Sequence, residues 1–235
     1  MANLQITWLG HGGVLYRSPG GKWLWVDRWS GAPTYPDAYR QLQRVDVVAP
    51  THGHFDHVGN DCSDVVELAQ AGGQVVCSHE MSLYLAARGV EAVGINAGGT
   101  FEAAGIRLTM VPAVHTGGIT ITGGEHEITR EVGCWGWLIE FEDGTLVYHS
   151  GDTALFGDMA ILTDGIVPAI AVLPIGGHYT MGPSDAARAV RLLGVPTVLP
   201  IHWGTFPILA GTPDELARQT DATVLRLQPG ETWQA

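Results

Sequence analysis

Residues 45–57, VDVVAPTHGHFDH, read as a short apolar strand (Val45–Ala49) stopped by Pro50, which runs directly into a loop carrying three histidines and an aspartate. In an extended loop, side chains two apart leave on the same side, so His52 and His54 can grip one cation together. If the chain then turns into a helix, Asp56 and His57 aim at a neighbouring point. Imidazole nitrogen and carboxylate oxygen are ligands that Zn²⁺, Mn²⁺ and Fe²⁺ all accept. Three specified histidines and one aspartate at this spacing arise by chance in roughly one such chain in a thousand. Four ligands on one loop suffice for a single structural site, so ligands elsewhere decide whether the centre is catalytic.

Upstream of this loop the chain is β-rich. Ile6–Leu9, Val14–Arg17 and Trp23–Val26 are short β-branched or aromatic segments, the last two joined by a hairpin turn at Ser18-Pro19-Gly20-Gly21. Downstream, strands and helices alternate. Asn60 or Asp61 is expected to cap a helix bearing Val65, Leu68 and Ala69 and ending at Gly72. Val75–Cys77 and Ile106–Val111 read as strands, and Glu80–Arg88 as a helix. Trp135–Phe141 and Leu146–His149 form strands around a turn at Asp143-Gly144, and Ile170–Pro174 and Thr197–Pro200 are further strands. Ser184 is expected to cap a helix closed by Gly194, and Thr212-Pro213-Asp214-Glu215 has the form of a capping box. The pattern implies an α/β (α+β) fold of packed sheets with helices outside, in one domain spanning residues 1–235.

Three isolated residues follow strands and extend the ligand set: His115 after Ile106–Val111, Asp152 after Leu146–His149, and His202 after Thr197–Pro200. Each alone is an ordinary loop residue. Together with the histidine loop they make five histidines and two aspartates, enough for two adjacent cations with positions open to water.

The 235 residues are 46% hydrophobic and 15% charged, which excludes a disordered chain. Twenty-four acids against twelve bases give a net charge of −12, and Lys22 is the only lysine, a balance that repels polyanions and argues against a nucleic-acid partner. No apolar stretch reaches membrane-spanning length and the first residues lack a secretory pattern, so the expected location is the cytoplasm, without membrane insertion. Cys62, Cys77 and Cys134 are odd in number and widely spaced, as free thiols are.

THGHFDH, His115, Gly151-Asp152-Thr153 and His202 resemble, in that order, the motifs of the metallo-β-lactamase-fold hydrolases. WLGH (8–11), YHSGDTALFGDM (148–159), LPIGGHYTMGPSDAA (173–187) and IHWGTFP (201–207) are similar to the metal-dependent hydrolases related to ascorbate-6-phosphate lactonase, and the likeness runs from Ile6 to Gly230. The resemblance implies a four-layer αββα sandwich with two divalent metal ions (zinc or manganese, with iron also compatible) at one edge. His52, His54 and His115 would hold one ion, Asp56, His57 and His202 the second, and Asp152 would bridge them. Asp27 matches an acid that supports the histidine loop. The zinc β-lactamases that destroy antibiotics usually carry a cysteine ligand that is absent here, so that role is rejected.

The implied chemistry is a metal-bridging hydroxide attacking a small ester, lactone or phosphodiester, with Asp56 in the catalytic set. No Gly-x-Ser-x-Gly elbow, Walker motif or dinucleotide fingerprint competes with it. His178 is expected to line the pocket as an oxyanion donor or leaving-group acid. His11 and Trp203 are candidates for the pocket or for supporting the ligands, and Tyr179 is a weaker one. His149 reads as a satisfied buried histidine, and His79 and His126 as surface residues. Thr116–Gly133 is a variable stretch suited to a lid. Two alternatives stand beside a small-molecule hydrolase: a nuclease or RNA-processing phosphodiesterase on the same fold, and a metabolite sensor that binds metal without turnover. A homo-oligomer is compatible with any of the three.

Overall fold

A computed structural model describes residues 3–42, 44–121, 128–163 and 165–235. In chain order the strands are β1 (Gln5–Trp8), β2 (Val14–Arg17), β3 (Trp23–Val26), β4 (Val47–Val48), β5 (Gln74–Ser78), β6 (Ala92–Ile95), β7 (Thr100–Ala103), β8 (Ile106–Pro112), β9 (Gly118–Ile121), β10 (Ile128–Glu131), β11 (Trp135–Glu140), β12 (Leu146–His149), β13 (Ile170–Pro174), β14 (Thr197–Ile201), β15 (Thr223–Val224) and β16 (Thr232–Gln234). The helices are α1 (Phe55–Val58), α2 (Ser63–Gln70), α3 (His79–Ala86), α4 (Met159–Leu162), α5 (Pro183–Leu193) and α6 (Pro213–Ala217).

Two seven-stranded sheets share one plan. The first has the order β16-β1-β2-β3-β4-β5-β6 and the second β15-β14-β13-β12-β11-β8-β7, with β9 and β10 forming a separate hairpin. Each sheet is antiparallel on one side and parallel on the other. Two consecutive antiparallel steps restore direction, so β1, β3 and β4 run the same way, as do β8, β12, β13 and β14. The C-terminal ends of these strands are where His11, Asp27, Thr51, His115, Asp152 and His202 sit.

Period-two alternation makes the layers. Ile6, Val14, Tyr16, Leu24 and Val26 of the first sheet meet Met110, Trp137, Ile139, Val172 and Leu199 of the second in a shared core. The opposite faces carry Leu15, Trp25 and Val75 towards Val65, Leu68 and Met81 of α2 and α3, and Ala171, Leu173 and Val198 towards Ala186, Ala189 and Val190 of α5. Three apolar seams between four layers are the αββα sandwich. The three cysteines are free and buried.

The capping expectations are partly corrected. Thr212 does form the capping box with Glu215. The N-cap of α5, however, is Gly182 with Pro183 in the first turn, so Ser184 lies inside the helix and caps nothing. Asn60 and Asp61 fall in a short 3₁₀ turn, and α2 begins after Cys62 without a side-chain cap. The Asp61 carboxylate instead accepts from the Tyr84 hydroxyl and the Arg88 guanidinium, which takes it away from the helix end.

Candidate metal centre

Backbone hydrogen bonds join the two sheets at the rim where the candidate residues collect. Trp135 N donates to Thr51 O (3.1 Å), Gly53 N to Gly117 O (3.2 Å), and His202 N to His11 O (2.8 Å). The loop after β12 is held by Ala154 N donating to Val114 O at 3.0 Å and by Val114 N donating to the Thr153 hydroxyl at 3.0 Å. This ties the Asp152 and His115 loops together. His11, Asp27 and His202 all have positive φ (49°, 51° and 55°), a conformation that costs a non-glycine residue on the order of 1–3 kcal/mol and persists only where the surroundings over-determine it. At Gly12 a Cβ would come within 2.6 Å of the His57 ring, so only glycine lets the first loop pass under that imidazole.

His52, His54 and His115 form one group, with His52 Nε2 3.0 Å from His54 Nδ1. His11, Asp56, His57 and His202 form a second. Asp152 lies between them: its Oδ2 is 3.7 Å from His115 Nε2, 3.4 Å from His57 Nε2 and 3.1 Å from His202 Nε2. Asp27 supports both groups from below. It accepts from Thr51 N (2.8 Å) and the Thr51 hydroxyl (2.6 Å), its Oδ2 is 2.9 Å from His57 Nδ1, and the same hydroxyl is 2.9 Å from His52 Nδ1. Fixing the far ring nitrogen in this way sets the tautomer and aims Nε2 at the centre. His11, fully buried, places Nε2 2.9 Å from Asp56 Oδ2 and Nδ1 2.9 Å from the Thr205 hydroxyl.

Burial holds His52, His54 and His115 below the ordinary imidazole range, so all three are neutral and able to donate a lone pair. His57 and His202 go the other way: burial opposes their charge, but Asp152, with Asp27 for His57 and Asp56 for His202, outweighs it, raising His202 to about 9. Burial likewise opposes the charge of Asp56 and Asp152, yet the surrounding histidines hold both carboxyls well below their ordinary value. The centre is therefore built to stabilise positive charge between two ionised carboxylates. His57 Nε2, His115 Nε2, His202 Nε2 and Asp152 Oδ1 are buried without a hydrogen-bond partner among the described residues. Unsatisfied buried polar atoms are costly, and these four, three imidazole nitrogens near the Asp152 carboxylate and one of its own oxygens, fit a site in which bound cations satisfy them.

A cavity of about 600 Å³ opens over the centre, and His54, Asp56, His115, Asp152 and His202 reach it. Two expectations fail here. His178 is exposed and outside the cavity lining: Gly177 and His178 both take positive φ (76° and 57°), which turns the imidazole out, edge-on against Tyr179. Tyr179 lines the cavity in its place. Trp203 is not a pocket wall either; it stacks on Trp8 at 5.3 Å and packs into the core. His149 bonds the Tyr16 hydroxyl through Nδ1 (2.7 Å), its Nε2 lacks a partner, and burial lowers it to about 4. His79 is exposed, and His126 lies outside the described residues. The lining also includes Phe55, Phe206, Ile208, Thr116 and Thr120, none of which stood out as a pocket residue in the sequence. Phe55 is embedded in the histidine motif, and that position was its one available signal.

Residues 23–203 match the model of the beta-lactamase superfamily domain. The chain is 42% identical to the UPF0173 metal-dependent hydrolase of Koribacter versatilis, with 99% of each chain covered. Among solved structures, Igni18, a metallo hydrolase from the hyperthermophilic archaeon Ignicoccus hospitalis, superimposes with a TM-score of 0.84 at 30% identity, covering 99% of this chain and 98% of that one. The metallo-beta-lactamase fold protein YhfI from Bacillus subtilis (TM-score 0.74, 15% identity, 100% of both chains) shares the fold. The protein thus belongs to the beta-lactamase superfamily and, within it, to the UPF0173 metal-dependent hydrolases. No helix among the described residues is long and apolar enough to cross a membrane.

Proposed function

We propose that this metal-dependent hydrolase works with two divalent ions (zinc, manganese or iron) on a small ester, lactone or phosphodiester. His52 Nε2, His54 Nδ1 and His115 Nε2 would hold one ion, and Asp56, His57 and His202 the other, with Asp152 shared between them. When bound, the pair would supply Lewis acidity and a water whose pKa is lowered towards neutrality. Asp56, an ionised carboxylate whose Oδ2 is oriented by His11, would serve as a ligand and as hydrogen-bond acceptor for the attacking water. His11 acts by positioning that carboxylate. Thr116 and Thr120 also line the cavity and would offer neutral hydroxyls to the substrate.

The observation that supports this reading is the gathering of three unpartnered buried imidazole nitrogens, of His57, His115 and His202, around the Asp152 carboxylate, whose Oδ1 is itself unpartnered. Elemental analysis of protein purified without chelators tests it. The wild type should carry close to two transition metal ions per chain, as a two-metal site requires, and His52→Ala should lose one of them and turnover while staying folded. A folded wild type without metal that cannot be reconstituted sinks the reading.

A further inference from the structure

Besides the candidate ligands, the cavity over the centre is lined by two neutral hydroxyl residues, Thr116 and Thr120, and by four large side chains of mainly apolar surface, Phe55, Tyr179, Phe206 and Ile208. Two of the four share a neighbour: Phe55 and Phe206 lie 5.5 Å and 5.9 Å from Trp29, within the range of favourable aromatic contact. Phe55, Tyr179 and Ile208 are 43%, 58% and 47% exposed, and they belong to the few large apolar side chains left uncovered among the described residues. Uncovered apolar surface gathered at the mouth of a cavity marks a place that something apolar fills.

Among the described residues, the charged groups of the lining are Asp56, Asp152 and imidazoles of the centre, and no lysine or arginine belongs to it. Arg28, the buried guanidinium next to Asp27, is turned away and committed to Asp64 (3.0 Å), Glu67 (2.6 Å) and the Tyr35 hydroxyl (3.0 Å). A substrate with a second anionic group, such as a phosphate or carboxylate distant from the reacting bond, would find no cation to replace its lost hydration.

From this lining, apolar and without a lysine or arginine among the described residues, we propose that the substrate is an uncharged carboxylic ester or lactone whose non-reacting arm is apolar and lies against Phe55, Tyr179, Phe206 and Ile208. The proposal rests on the hydrolase reading above. In the reaction, water oxygen adds to the acyl carbon and the acyl C–O bond breaks with its electron pair on the departing oxygen. That oxygen takes up a proton, yielding a carboxylic acid and an alcohol, or a hydroxy acid from a lactone.

Two experiments test the proposal together. The metal-reconstituted full chain is assayed on p-nitrophenyl esters from acetate to hexanoate, on esters of equal length ending in a carboxylate, and on bis(p-nitrophenyl) phosphate. We expect kcat/KM to rise about four-fold per methylene, the equivalent of ~0.8 kcal/mol. The carboxylate-ended esters should lose that gain, the phosphodiester should be the poorest substrate, and Phe206→Ala should flatten the slope. Separately, the metal-free chain should bind the neutral fluorophore N-phenyl-1-naphthylamine at one site, and Phe206→Ala should weaken it about ten-fold or more, the worth of one well-packed aromatic contact. A flat series, or preference for a charged arm or the phosphodiester, overturns the proposal while leaving the hydrolase reading intact. If the metal-loaded enzyme hydrolyses nothing, the hydrolase reading fails, and with it the assignment to an ester. Fluorophore binding that is absent, or untouched by Phe206→Ala, overturns the apolar-arm assignment in its own right.

Discussion

The two sheets share a plan, antiparallel on one side and parallel on the other, yet they feed the centre in different ways. The first delivers His52, His54, Asp56 and His57 from one continuous segment, the loop after β4 and the start of α1, braced by Asp27 and His11 from neighbouring strand ends. The second delivers His115, Asp152 and His202 singly, from the ends of β8, β12 and β14. The first set is prearranged by local backbone geometry, whereas the second depends on sheet register and on the hydrogen bonds that join the loops across the rim. Asp152 is where the two contributions meet, since its carboxylate faces imidazoles from both sheets.

The sharpest way to break this comparison is to remove the shared residue. Asp152→Ala should cost several kcal/mol of transition-state stabilisation, on the order of 10³-fold in kcat/KM, and should lower metal occupancy on both sides together. Steady-state kinetics with metal analysis would show it; loss on one side alone would deny that the carboxylate is shared.

Asp27 and His11 separate common from one-sided support. Asp27→Asn should weaken metal affinity about 10–100-fold, because it frees His57 and also releases Thr51 beside His52. His11→Ala acts through Asp56, and through His202 against which its ring packs at 4.0 Å, and should weaken only the Asp56 side. Metal titrations that resolve the two sites provide the readout.

Acidity divides the two ligand groups, each of which draws on both sheets. In metal-free protein His202 is raised from the ordinary 6.5 to about 9 and His57 is raised too, so their pairing with Asp152, Asp56 and Asp27 stabilises the fold fully below about pH 6.5. That contribution is lost as pH rises through about 9. The metal-free Tm should therefore fall across this window, whereas metal affinity should rise over it as the ions displace those protons. A metal-free Tm that increases over the same range would contradict the assignment.

The smallest effects lie far from the rim. Thr212→Ala removes a capping box and should cost about 1 kcal/mol in denaturant unfolding. Ser184→Ala should stay within about 0.5 kcal/mol, since Gly182 occupies the N-cap of α5.

The difference between the sheets also governs what could be read from the residues alone. Short apolar runs such as Val14–Tyr16 and Ile170–Pro174 read as strands because each buries one face in the shared core and the other under helices. The histidine loop is legible for the same reason that it is prearranged: its ligands are neighbours in sequence. His115, Asp152 and His202 are legible only as isolated residues after strands, and their meeting point is a property of register. His178 misled because position after a strand says nothing about φ, and a left-handed turn at Gly177-His178 points the ring outward. Trp203 misled because adjacency to His202 does not reveal the face on which Trp8 waits. Phe55, Tyr179 and the Phe206–Ile208 segment lie far apart in the chain, so the apolar lining exists only once the loops are folded together.

Anomalous diffraction from crystals of the metal-loaded protein tests most directly the account of two ions pinned between the sheets. The expected map has two peaks about 3.5–4 Å apart, one among His52, His54 and His115 and one among Asp56, His57 and His202, with Asp152 between them. A single peak at full occupancy, with His11 still against Asp56 and no density on that side, would contradict it.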